Sequence, residues 1–594
     1  MDSSLVNDMF GYSSVERPLW DEIQQELDDL RNVYWPTDGK ELADIGMLVG
    51  ETFLRCVGLI RHRINKELEG VEPLCLVTAC FLFFLSLWVL KRLFTYNSFV
   101  PSNKRLSLLE RFRRLPIIRS ISASKMRPVL KDLERDLKKD YAPGSFKKVL
   151  PEEGHKAVNI VEEVQSYLDL SKADWKAGRV SGCIYSPNDI ECEKLVLDVF
   201  HKTMKSNHLH ADIFSGVRKM EAEIIRWVLN LYHGDADACG SISSGGTESI
   251  MLACKAYRDF AFATRGITEP EILVPHSAHA AFDKAADWLR LEIRKVPLDP
   301  KTLMVDTRKM RKMITRNTIL LVGSAPGYPH GIIDPIEGIA ALGCRYNIPV
   351  HVDCCLGGFI MPFLEDAGFG KFNFDFSVKG VTSISCDTHK YAMAPKGTSL
   401  VMYSSKKYLH HQFSAAGDWP GGVYITPTVA GSRSGAVVAC CWATLRYYGR
   451  GGYVEACRDI LTEARKIKDG IKEIKGLRVL GDPQATVIAF DSDIINIFEV
   501  NSRMGKLGWH LNPLQFPSGI HICLTKIHAE NKVTETFLTD LRTIVEKMLQ
   551  EPDKKVSSQA AVYGQAQTFS DRSIVKDLLL NYMDIIYSTE DYVD

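Results

Sequence analysis

None of the 15 cysteines of this 594-residue chain forms a Cys-x-x-Cys pair, the spacing that a zinc ribbon or a redox dithiol uses. They are scattered and odd in number. Several, such as Cys239, Cys254, Cys440 and Cys441, sit in apolar stretches and read as reduced core residues of a cytosol-facing protein. Charge of either sign is not in surplus. The 73 Lys and Arg balance the 73 Asp and Glu, so nothing advertises nucleic acid as a partner. Internal repeats and low-complexity tracts are lacking. With 45% hydrophobic and 25% charged residues, global disorder is excluded. Residues 1–73 contain no Asn-x-Ser/Thr acceptor, and the Ser-Gly-Gly turn at 244–246 is followed by no Gly-Lys-Ser/Thr, so it is not a Walker loop.

One long apolar run is present. Leu74–Leu90 (LCLVTACFLFFLSLWVL) has 17 residues without a charge, between Glu72-Pro73 and Lys91-Arg92. That length just reaches across the hydrocarbon core, so residues 74–90 are expected to form one N-terminal transmembrane helix. A cleaved signal peptide fits poorly so far into the chain. Residues 91–128 hold ten Lys or Arg against Glu110 alone, while residues 1–73 hold seven basic and fifteen acidic residues. Within 20 residues of the run the two sides tie at four basic residues each. The longer basic stretch places the C-terminal side in the cytosol and residues 1–73 in the lumen. A short span suits the thin endoplasmic reticulum membrane. Apolar periodicity predicts helices near Leu19–Leu30 and Ile45–Ile60. Residues 91–150 read as a basic connector with N-terminal helices, and Glu590–Asp594 as a solvated acidic end.

From about residue 150 short apolar runs alternate with helical patterns. Strands are predicted at Ile272–Val274, Ile319–Gly323, Ile348–Val352, and around Ile384 and Leu400-Val401. Helices are predicted at Glu248–Thr264 and Pro335–Tyr346. The alternation argues an α/β domain over 151–450 with a mainly parallel sheet. A helix over Tyr453–Lys475 and strands near Thr486–Phe490 and Ile520–Leu524 give a smaller C-terminal α+β domain, 451–594.

Three signals in this region carry chemistry. Ser243-Ser244-Gly245-Gly246-Thr247-Glu248 opens a helix. Its glycines let backbone amides approach an anion, although such a turn is also an ordinary capped helix start. Asp353 ends the strand Ile348–Val352, where ligands of open α/β sheets bind, although it could merely cap a loop. Lys390, in Asp387-Thr388-His389-Lys390-Tyr391, lies between apolar strands. Desolvation there is expected to lower its pKa, as an amine nucleophile requires. Phosphate cradle, strand Asp, then lysine is the order found in fold-type-I pyridoxal-phosphate enzymes.

At these residues the chain resembles the sphingosine-1-phosphate lyase family, the membrane-anchored pyridoxal-phosphate enzymes of sphingolipid breakdown. The resemblance runs from about Val180 into the C-terminal domain. It includes VSGCIYS (Val180–Ser186), SAHAAFDKAA (Ser277–Ala286), HVDCCLGGF (His351–Phe359), VKGVTSISCDTHKYAMAPKG (Val378–Gly397), PTVAGSRSG (Pro427–Gly435) and LQFPSGIHICLT (Leu514–Thr525). It implies a fold-type-I large domain and retro-aldol cleavage of sphingosine 1-phosphate and related phosphorylated sphingoid bases to a fatty aldehyde and phosphoethanolamine. By the resemblance Lys390 is the Schiff-base lysine, Asp353 the partner of the pyridine nitrogen, and His279 the imidazole stacked on the ring. Gly246, Thr247 and His389 hold the cofactor phosphate. Ser432 reaches the cofactor phosphate of the partner subunit, which makes a homodimer obligatory. Lys396, Tyr185 and His210 lie near the substrate phosphate, and Tyr328 near the reacting carbons. The resemblance implies a single-pass signal-anchor in the endoplasmic reticulum with the catalytic domain facing the cytosol. Departures stand at Ala392, where the family has Gly, at Met393, where it has an aromatic, at Cys354, where it has a small residue, and at Ala211 and Ser215, where it has Pro nearby. Two other readings stay open: an amino-acid decarboxylase of the same fold, and a catalytically silent membrane scaffold.

Overall fold

The computed structural model describes residues 21–25, 28, 41–67, 77–78, 80–88, 116–171, 173–550 and 572–592. The chain divides into two compact units, 1–120 and 121–594. In the first, Glu41–Glu67 is helical and covers the periodic stretch Ile45–Ile60. Of the apolar run Leu74–Leu90, Val77, Thr78 and Cys80–Trp88 are described and helical, and the rest lies outside the described residues. Among the described residues no helix is long and apolar enough to cross a membrane. Of Leu19–Leu30, residues 21–25 and Asp28 are described and helical, while the other half and the whole stretch 91–115 lie outside the described residues.

The second unit is built on a seven-stranded sheet: β1 (Cys239–Ser243), β2 (Glu271–Pro275), β3 (Glu292–Val296), β4 (Thr318–Ser324), β5 (Val350–Asp353), β6 (Ser383–Cys386) and β7 (Ser399–Tyr403), in the order β1-β7-β6-β5-β4-β2-β3. Strands β3, β2, β4, β5 and β6 run parallel through successive neighbours. Helices such as Gly246–Arg265, Ala281–Leu289 and Ile336–Tyr346 lie between strands. β4 through β7 are buried along their whole length, the state of strands covered on both faces, and their sequences are mostly apolar or small, with His351 and Asp353 of β5 as exceptions. β7 runs antiparallel to both β6 and β1. The connection 387–398 contains no crossover helix, so the chain turns straight back. That turn carries Lys390.

An exposed ribbon, β8 (Ser414–Ala416) with β9 (Tyr424–Thr426), precedes the helix Gly435–Glu473. This 39-residue stretch is two helical arms joined by a kink at Gly449 (φ 57°), and it passes from the large sheet into the small domain. The small domain is an antiparallel sheet of β10 (Arg478–Val479), β11 (Val487–Asp491), β12 (Asn512–Leu514) and β13 (Gly519–Cys523), in the order β10-β11-β13-β12. The helices Ile497–Lys506 and Thr534–Gln550 pack on it through Val500, Met504, Phe537 and Leu541. The acidic end is not merely solvated. Lys138, buried at the end of helix Pro116–Lys138, donates to Glu134 Oε1 (2.7 Å), Ser588 Oγ (3.3 Å) and the Glu590 carbonyl (2.6 Å), and Asp591 accepts from the Gly144 amide.

Candidate active site

Three strand ends and two loops meet at a cavity of about 360 Å³. Gly246, Thr247, His279, Tyr328, Asp353, His389 and Lys390 all line it, with Cys355 and Asp387. The cradle forms where β1 gives way to the helix Gly246–Arg265. A Cβ on Gly246 would sit 2.7 Å from Cys355 Sγ and 2.9 Å from both Asp387 carboxylate oxygens, so only glycine lets this helix start come so close to the turn that follows β6. Glu248 organises the turn. Its Oε2 accepts from the Ser244 amide (2.7 Å) and hydroxyl (2.6 Å), and its Oε1 from the Val429 amide (2.9 Å).

Asp353, at the end of β5, is buried. Its Oδ1 accepts from the Cys355 amide (3.1 Å) and the Ser385 hydroxyl (3.2 Å), while the residue lines the cavity. Lys390 sits on the tight turn after β6. The Met393 amide closes that turn onto the Lys390 carbonyl (2.8 Å), and Met393 itself takes φ 61°. The next residues are bolted to the small domain. The Tyr391 hydroxyl lies 2.6 Å from Thr486 Oγ1 and 2.7 Å from the Leu524 carbonyl, and the Tyr453 hydroxyl donates to the Ala392 carbonyl (2.9 Å).

Asp387, which sequence reasoning left without a role, governs the lysine. Lys390 Nζ lies 3.0 Å from Asp387 Oδ2, and His389 Nε2 lies 3.5 Å from the same oxygen. His389 Nδ1 accepts the Gly397 and Thr398 amides (3.3 Å each), so the ring hydrogen is on Nε2, facing Asp387. Burial works against the Asp387 carboxylate, but Lys390 and His389 more than offset it and hold its pKa well below the carboxylate range. Burial likewise opposes the Lys390 ammonium, and Asp387 outweighs that too, so its pKa stands above the ordinary lysine value. The expectation of a depressed lysine pKa is therefore corrected: desolvation alone would lower it, but a carboxylate three residues upstream reverses the sign.

The remaining expected residues fall into three groups. Lys396 Nζ reaches the His389 carbonyl (3.3 Å) and lies 4.8 Å from the centre of the Tyr185 ring, with its pKa lowered by partial burial. Tyr185 packs edge-on to Tyr391 (5.0 Å), so this pair stands beside the cavity without lining it. Ser432 lines a neighbouring cavity of about 590 Å³, which shares Ser244, Thr247 and Glu248 with the first. Asn207 fixes its loop: Asn207 Nδ2 donates to Ser432 Oγ (3.1 Å), and Asn207 Oδ1 accepts from the Arg433 and Leu209 amides (3.1 Å each). Arg433 is in turn held by Glu221 (2.7 Å). His210 is exposed on the loop after Asn207, and the structure does not bring it to the cavity.

These residues fit pyridoxal phosphate. The Asp387 Oδ1, Thr388 Oγ1 and Thr398 Oγ1 atoms are buried without a hydrogen-bond partner around the lysine turn. A glycine cradle, a helix N-terminus, a strand-end carboxylate and a paired lysine surround one cavity. Lys390 would join the cofactor, Asp353 would hold its ring nitrogen, and Gly246, Thr247 and His389 would hold its phosphate.

The pyridoxal-dependent decarboxylase conserved domain matches residues 141–492. The chain is similar to the sphingosine-1-phosphate lyase of Drosophila melanogaster, with 46% identity over 80% of this chain and 87% of that one. It is 42% identical to sphingosine-1-phosphate lyase 1 of Rattus norvegicus, over 89% of this chain and 93% of that one. Among solved structures, a sphingosine-1-phosphate lyase from Burkholderia pseudomallei superposes with a TM-score of 0.68 at 35% identity, covering 75% of this chain and 98% of that one. With the strand-end Asp353, the glycine cradle and the Asp387–Lys390 pair gathered at one cavity, the chain belongs to the sphingosine-1-phosphate lyase family of pyridoxal-dependent enzymes.

Proposed function

We infer that the chain cleaves phosphorylated sphingoid bases between C2 and C3, giving a long-chain aldehyde and phosphoethanolamine. The observation that carries this reading is the gathering of the family's cradle, Asp353 and Lys390 at one cavity, with the Lys396–Tyr185 pair at its side. Pyridoxal phosphate, when bound, supplies the electron sink for carbon–carbon cleavage. The chain's own groups do the rest. Cleavage requires a base for the C3 hydroxyl proton and an acid to return a proton to C2. Of the proton-carrying groups that line the cavity, Lys390 Nζ and the Tyr328 hydroxyl take these roles. Lys396 offers the substrate phosphate a point charge, backed by the Tyr185 ring.

The chain works as a homodimer, Ser432 completing the partner's phosphate site. Exposed Trp288, Val423 and Val429, near the second cavity or in the loop before Ser432, supply apolar contact area for pairing. Leu74–Leu90 anchors the protein in the endoplasmic reticulum membrane with the catalytic unit in the cytosol. The uncharged run, its exposed Phe81, Phe83 and Phe84, and the basic residues after it support that placement.

The test is turnover of a sphingoid-base phosphate by purified protein beside Lys390→Ala. Both the aldehyde and phosphoethanolamine are expected from the wild type and neither from the variant. Release of carbon dioxide from an amino acid in their place would overturn the reading.

A further inference from the structure

We propose that Asn512, on the edge strand β12 of the small domain, is a positioning residue that sets the direction of the Tyr328 hydroxyl and turns its proton into the active-site cavity. Tyr328 lies on the loop between β4 and the helix Ile336–Tyr346. The loop is closed on itself by Gly327 N to Ile332 O (2.8 Å) and Gly331 N to Gly327 O (2.9 Å). It is pressed against the small domain. A Cβ on Gly331, which takes φ 69°, would stand 2.3 Å from the Val487 carbonyl of β11.

Two small-domain side chains, directly opposite each other across β12 and β13, reach this loop. His521 lies 4.9 Å from the Tyr328 ring, edge to face, with Nδ1 2.9 Å from the Pro329 carbonyl. A carbonyl only accepts, so Nδ1 carries a hydrogen. Burial pushes the His521 pKa down to about 4, which keeps the ring neutral at pH 7. Asn512 Nδ2 donates to the Tyr328 hydroxyl at 3.0 Å.

A phenol has one hydrogen to give and lone pairs to accept with. The amide takes an accepting position, and among the described residues no acceptor takes the hydrogen, which is left to a partner in the cavity. The titratable groups around Tyr328 are His279, His521, Lys390, Tyr185, Cys183 and Cys523. Burial first, then Cys523, raises the phenol pKa, so the group stands as a donor at neutral pH. The identity of the step it serves rests on the proposed cleavage reaction, but the bond direction does not.

Asn512→Ala and Asn512→Asp separate a director from a spacer. Aspartate has the same shape but would accept the Tyr328 proton rather than donate. With sphingoid-base phosphate as substrate and cofactor loading verified by absorbance, Asn512→Ala should lower kcat about tenfold. Asn512→Asp should lower it about a hundredfold with KM little changed. The Asp variant should regain activity as pH falls and its carboxyl becomes a donor. In a Tyr328→Phe background neither change should cost anything further. An Asp variant more active than the Ala variant, or equal losses in the Tyr328→Phe background, would overturn the proposal. A second readout does not depend on turnover. In protein labelled with 13Cζ-tyrosine, the Tyr328 signal, assigned by its loss in Tyr328→Phe, should titrate at higher pH in Asn512→Asp than in the wild type. An unmoved titration would also overturn the proposal. An inactive wild type with the titration shift intact would sink the cleavage reading alone.

Discussion

A single carboxylate decides how Lys390 behaves before the cofactor arrives. Asp387 is nearly without solvent contact and holds the Nζ at 3.0 Å. The lysine must shed a proton before it can attack an aldehyde, and Asp387 raises the pH at which it does so. Asp387→Asn should therefore move the pH midpoint for recombination of pyridoxal phosphate with cofactor-free protein downward, seen by stopped-flow absorbance. The same change strands a largely buried cation, which costs about 3 kcal/mol, so denaturant unfolding of the cofactor-free variant should show a lower midpoint. An unchanged recombination profile would show that the pair does not control the amine. The sequence made Lys390, His389 and Asp353 legible because their order along the chain is informative. Asp387 stood in the same motif, but its effect depends on a side chain folding back over one turn, which spacing alone does not reveal.

At the scale of elements, the cradle and the loop of Ser432 form one assembly. Glu248 joins the Ser244 turn to Val429, and Asn207 holds Ser432 and Arg433 from the other side. Gly246→Ala would push the helix start off Cys355 and Asp387. The expected outcome is a folded protein whose affinity for pyridoxal phosphate, measured by absorbance titration, falls at least about tenfold, given the loss of close backbone approach to the phosphate. Asn207→Ala removes three hydrogen bonds from the loop, a loss of order 1–3 kcal/mol of local stability. It should raise amide hydrogen exchange in 428–434 while β5 and β6 stay protected. The predicted strands at β2, β4, β5, β6 and β7 were legible from their apolar runs. β1 (CGSIS) and β3 (EIRKV) were not, because small or charged residues hide an edge position in a buried sheet. The antiparallel return of β7 was hidden for a different reason. A turn that presents a lysine looks, in sequence, like any other connection between strands.

At the scale of the molecule, four buried histidines set an acid limit. His330, His351, His521 and His528 are each pushed down to about pKa 4 by burial, from an ordinary value of 6.5. A depressed folded value means the unfolded chain binds more protons between those limits. Stability is then full above about pH 6.5 and falls as pH drops toward 4. Each histidine contributes up to about 1.4 kcal/mol per pH unit across that window. Urea midpoints measured from pH 7.5 to 5 should decline. The decline should be shallower in His351→Gln, whose amide can still meet Ser383 and Ser385, which His351 bonds at 2.8 and 3.2 Å. A flat profile would refute this account.

The helix Gly435–Glu473 has a bearing on how the whole unit comes apart. Gly449, at φ 57° and ψ −178°, is a kink at which two helical arms meet. Buried residues run along both arms, from Cys441 and Leu445 before the bend to Cys457 and Leu461 after it. What ties the large sheet to the small domain is packing: both arms of the kinked helix bury their apolar residues in one cluster, so parting the halves uncovers core on each side.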